Sequence, residues 1–147
     1  MSAGSAGATG ALKAALAAEN AAVFGYGVAG AQMSGRQRAQ AERDWVRHER
    51  ARDVLTGLLV SRGGEPPPAA PGYGLPFPVH NARTAAALAA YLEDQVTAAY
   101  LELVGLPDPR LRVLGASEVK AAALRATSWR GGTLAFPGLQ APAASAH

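Results

Sequence analysis

Apolar and small residues at Leu12, Leu16, Val23, Gly30 and Met33 recur in alternating steps of four and three, the spacing of one helix face. Two polar residues, Glu19 and Tyr26, fall on the same stripe. The pattern predicts a first helix, capped by Thr9 and running to about Met33, with a carboxylate on its inward side. Ser34-Gly35 is its stop signal. The stripe Ala41, Trp45, His48, Arg52, Leu55, Leu59 predicts a second helix from about Arg36 to Arg62, ended by Gly63-Gly64. Asn81 is a good cap for a third helix, which reaches about Val104 and repeats the first arrangement: Glu93 and Tyr100 stand seven apart, as Glu19 and Tyr26 do. Asp108-Pro109 opens a fourth helix, which ends near Arg130 before Gly131-Gly132. Gly25, Gly27 and Gly30 each cost a helix up to about 1 kcal/mol relative to alanine, so close approach of a neighbouring helix is expected there.

Glu65 to Val79 contains six prolines, which forbid helix. Extended at about 3.1 Å per residue, this stretch spans roughly 45 Å, against about 36 Å for a 24-residue helix. It can therefore travel the length of a bundle, so that the third helix starts beside the start of the second and runs parallel to it. Leu75, Phe77 and Val79 give it apolar groups to lay on the helices. Residues 1–8 and 139–147 are expected to be disordered tails around one domain, 9–138, in which Leu134, Phe136 and Pro137 fold back on the helices. Short links, then one long crossover, then a short link is the connection of ferritin-like bundles, so the expected fold is all-α: a ferritin-like four-helix bundle.

Composition narrows the chemistry. The chain has 147 residues, the size of one domain, and 49% hydrophobic content rich in alanine. With no cysteine, disulfides, thiolate metal sites and cysteine nucleophiles are excluded. The start of the chain lacks a signal-peptide pattern, and no stretch approaches a membrane span, so a cytoplasmic protein is expected. Net charge is +3, with twelve arginines and only Lys13 and Lys120 as lysines. Seven arginines lie between Arg36 and Arg62 among Glu42, Asp44, Glu49 and Asp53, a pattern of solvated helix faces rather than a nucleic-acid surface. Ser61, Ser117 and Ser128 lack the surroundings of a nucleophile, and His80 and His147 sit in a loop and a tail. The reading leans away from an enzyme.

Each helix nevertheless carries an ionisable group near its inward stripe: Glu19, His48, Glu93 and Glu118. Glu19 to Arg52 is 33 residues and Glu93 to Arg125 is 32, as an internal duplication of a helix hairpin would produce. The runs A-A-E-N-A-A-V-F-G-Y-G, G-Y-G-L-P-F-P-V, L-E-D and A-F-P-G resemble a small bacterial ferritin-like family catalogued as a domain of unknown function, over residues 10–138. That resemblance implies a comparison with di-iron bundles, which take a Glu from each of two helices and Glu-x-x-His from each of the others. Glu19 and Glu93 match the single glutamates. Trp45-x-x-His48 replaces one glutamate, and Glu118-x-x-Ala121 replaces one histidine. Glu19, His48, Glu93 and Glu118 remain as a reduced ligand set for iron or manganese. The competing expectation is a metal-free polar core of Glu19, Tyr26, Arg52, Glu93, Tyr100 and Arg125, in which the two arginines supply the positive charge that buried carboxylates require. No cofactor and a structural or interaction role follow, with a homodimer through alanine-rich faces.

Overall fold

The computed structural model describes residues 2–131, and among these the fold is four helices with no strand. They are α1 (Ala3–Ala31), α2 (Gly35–Ser61), α3 (Ala82–Val104) and α4 (Pro109–Arg130). The A-F-P-G motif, its apolar groups and residues 139–147 lie outside the described residues.

Helix ends follow local chemistry. Asn81 and Thr84 form a reciprocal capping box at α3, and Asp108 accepts from the Arg110 amide with Pro109 in the first turn of α4. Gly131 ends α4 in the left-handed conformation, φ 69°. The beginning of α1 differs from expectation. Residues 3–8, expected as a disordered lead, are helical, and Ser2 rather than Thr9 is the cap, accepting from the Ser5 amide. The reason is tertiary: Ala8 is buried, and Gly4 and Gly7 lie against Pro107 and Leu106 of the α3–α4 link.

Contacts between named residues set the directions. Tyr26 meets Glu93 while Glu19 meets Tyr100, so α1 and α3 are antiparallel. Trp45 meets Val23 while His48 meets Glu19, so α1 and α2 are antiparallel too. The second and third helices therefore run the same way, and Gln37 at the start of α2 donates to the Ala82 carbonyl at the start of α3. The proline-rich segment joins them on the outside: Tyr73 packs on Phe24 in a tilted pair with ring centroids 5.5 Å apart, and Phe77 meets Tyr91 edge-on. Phe77 and Val79 pack against the core, whereas Leu75 is exposed. The buried apolar cluster, built around Leu12, Leu16, Leu55, Leu59, Leu88, Val96, Leu103 and Leu111, draws on all four helices.

Of the three glycines expected at a close approach, only Gly25 has one; a Cβ there would meet Leu92 Cδ1 at 2.4 Å, while Gly27 and Gly30 face open space. The tightest backbone crossing is at Gly115, where a Cβ would lie 2.9 Å from the Tyr100 carbonyl oxygen and 3.0 Å from the Val104 nitrogen. Backbone cannot give way as a leucine tip can. Gly115→Ala is expected to destabilise the protein by about 1–3 kcal/mol, and Gly27→Ala to stabilise it by up to about 1 kcal/mol. Urea denaturation of the two variants checks both signs.

Candidate functional site

The interior between the four helices holds a chain of polar side chains. Glu19, His48 and Glu93 are fully buried, Tyr26 and Tyr100 nearly so, and Arg125 is 9% exposed. His48 lies at the centre. Its Nδ1 is 2.6 Å from Glu19 Oε2 and its Nε2 is 2.6 Å from Glu93 Oε1. A neutral imidazole has one N–H; only the doubly protonated ring donates to both carboxylates. Burial works to lower the His48 pKa, but the hydrogen bonds and charges of the two glutamates outweigh it and hold it up at about 9. Arg125 Nε donates to Glu93 Oε1 at 3.0 Å. Two buried carboxylates thus face two cations.

The tyrosines cross between the hairpins. Tyr26 donates to Glu93 Oε1 at 2.7 Å, and Tyr100 donates to Glu19 Oε1 at 2.8 Å. Burial, reinforced by the neighbouring carboxylates, pushes both phenols far above their ordinary range, which keeps them protonated donors. Beyond Tyr26 the chain continues: Trp129 Nε1 lies 2.9 Å from the Tyr26 oxygen and 3.0 Å from Asp44 Oδ2. Burial and the Glu93 charge raise the Asp44 pKa against the pull of Trp129 and Arg125. Burial likewise opposes the fall of the Glu93 pKa, but the His48 and Arg125 contacts win and hold it below the ordinary value.

Two expected members stand elsewhere. Arg52 is not part of this core: its Nε donates to Asp53 at 3.1 Å, its Nη2 lies 3.9 Å from Glu49, and its side chain is one-third exposed. His48, one turn earlier, occupies the inward position and supplies the positive charge at Glu19. Glu118 is half-buried on α4 and makes no hydrogen bond or ion pair among the described residues; burial and the Glu19 charge raise its pKa. Trp45, placed on the inward stripe, is 37% exposed and donates to the Val23 carbonyl. Asp44, read from the sequence as part of a solvated helix face, is buried, and Trp129 was not singled out. Their signal was present, since Asp44 lies four residues before His48 and Trp129 four after Arg125, one turn along the same faces.

The donor set does not suit a metal as it stands. Both ring nitrogens of His48 are engaged by carboxylates, which leaves no lone pair for coordination. Among the described residues, no group of three or more His, Asp or Glu side chains is placed to hold a metal ion. Also among them, no helix is long and apolar enough to cross a membrane.

Among the described residues, four helices and no strand enclose this hydrogen-bonded core, so the class is an all-helical domain. A family model described as a domain of unknown function, DUF4439, matches residues 11–141, and the chain belongs to that family. It is also similar to a solved structure described as a conserved hypothetical protein, rv2844, from Mycobacterium tuberculosis. The two share 31% sequence identity over 86% of this chain and 96% of the other, with a TM-score of 0.83. No curated protein matches the chain.

Proposed function

We propose that the protein is a cytoplasmic, ferritin-like four-helix bundle that works without a di-iron centre, in a structural or interaction role and with no resident cofactor. One observation carries this reading: an imidazolium clamped between Glu19 and Glu93 stands where a metal-bridged bundle would need a free ligand. Arg125 supplies the second positive charge. The parallel course of α2 and α3, joined by the long outer segment, supports the ferritin-like assignment. The homodimer reading uses the alanine-rich side of α1 and α3, where Ala14, Ala18, Ala21, Ala98 and Ala99 line a cleft of about 470 Å³ together with Tyr73 to Pro76 of the outer segment.

The other reading is a metal-binding oxidoreductase using Glu19, His48, Glu93 and Glu118. It has one observation in its favour: Glu93 Oε2 is buried with no hydrogen-bond partner, and a cation could answer it. Incubation with iron(II) or manganese(II), followed by desalting and elemental analysis, separates the two. The metal-free reading expects less than about 0.1 metal per chain, unchanged in Glu19→Ala. Near-stoichiometric metal that Glu19→Ala abolishes would overturn it.

A further inference from the structure

Arg125 uses only one of its three nitrogens on Glu93. Among the described residues, its Nη1 and Nη2 have no hydrogen-bond partner, although the residue is nine-tenths buried. Arg125 lines a cleft of about 330 Å³ between α2 and α4. Arg47 and Arg50, exposed on α2, line the same cleft and also lack partners among the described residues. Three arginines with unused donors therefore line one opening. Leu55, Val54 and Leu114 make its walls apolar. Guanidinium forks match the two oxygens of a carboxylate, and the Arg125 Nη atoms, which are not among the buried unpartnered atoms, are open to such a ligand from the cleft.

We propose that the α2/α4 cleft binds a small organic monocarboxylate, its headgroup held by the Nη atoms of Arg125 with Arg47 and Arg50, and its apolar body against Leu55, Val54 and Leu114. Glu118, on the α4 wall, selects the charge: it repels a dianion more strongly than a monoanion. The apolar walls select against bare inorganic anions. The inference rests on the metal-free reading in one respect, that Arg125 rather than a metal neutralises Glu93.

The test is titration of the full chain, first shown by elemental analysis to be metal-free, with acetate, hexanoate, benzoate and inorganic phosphate, followed by calorimetry and amide NMR. Hexanoate and benzoate should bind at one saturable site, at least about tenfold more tightly than acetate or phosphate, because each buried methylene adds affinity. Shifts should cluster on α2 and α4. Arg47→Gln with Arg50→Gln, both exposed and without partners among the described residues, should weaken hexanoate about tenfold or more without changing the melting temperature. Arg125→Lys keeps the charge but loses the fork and should weaken it further. No saturable binding with hexanoate or benzoate in large molar excess over the protein, phosphate binding as tightly as hexanoate, or affinity unmoved by the double variant would each overturn the proposal. Metal uptake by the same preparation would instead overturn the reading of the core, so the two failures are told apart.

Discussion

His48→Leu is expected to lower the unfolding free energy by about 3–5 kcal/mol at pH 7, the largest loss of any single substitution in the polar core. Leucine fills most of the space, so the loss is electrostatic rather than a cavity. It removes the one group that donates to both Glu19 and Glu93. Glu93 keeps Arg125 and Tyr26; among the described residues, Glu19 keeps only the Tyr100 hydroxyl. Adding Glu19→Gln to His48→Leu should therefore recover part of the loss, since an amide is far less costly to bury than a lone carboxylate. Arg52→Leu is the control. Its guanidinium is one-third exposed and pairs only with Asp53 and Glu49 on its own helix, so the change should stay within about 0.5 kcal/mol. Urea denaturation of the four proteins tests the ordering. Equal effects of the His48 and Arg52 substitutions would mean that the interior charge balance is assigned to the wrong residue.

Stability should also fall as the solution becomes alkaline, by about 3 kcal/mol between pH 6.5 and somewhat above pH 9. The His48 pKa is about 9 in the folded protein against an ordinary 6.5. A raised folded pKa means the folded state holds its proton longer than the unfolded one. The contribution is complete below about pH 6.5 and disappears as pH rises through 9. Glu93 works from the other side: its folded pKa is depressed, so its contribution is present above the ordinary 4.5 and is lost on acidification. The stability maximum should therefore lie between roughly pH 5 and 6.5. In His48→Leu the decline between pH 6.5 and 9 should be absent. A wild-type profile flat across that interval would contradict the imidazolium.

Much of this was legible before any coordinates, and the reasons are local. Steps of three and four marked the inward face of α1, and the repeated spacing of seven marked that of α3, and with them Glu19, Tyr26, Glu93 and Tyr100, all buried. Asn81 and Asp108-Pro109 announced their helix starts because caps are read from a few neighbouring residues. The second helix was harder. Its stripe admits either His48 or Arg52 as the interior cation, and periodicity cannot choose between side chains one turn apart. The choice lay in surroundings: Asp53 and Glu49 satisfy Arg52 on its own helix, whereas His48 is short enough to fit between two glutamates. The drift of the helical period away from a strict heptad also exchanged Trp45 for Asp44 as the inward residue. Gly115 went unnoticed because a close crossing depends on a partner helix, and nothing within α4 itself records it.

The reciprocal tyrosines have a consequence for how the molecule can be divided. Each half of the chain carries a carboxylate whose answering phenol resides in the other half. Neither hairpin is chemically self-contained, despite the sequence echo that makes them look like two independent modules. Cutting the outer proline-rich strap would leave two pieces that each need the other as a folding template.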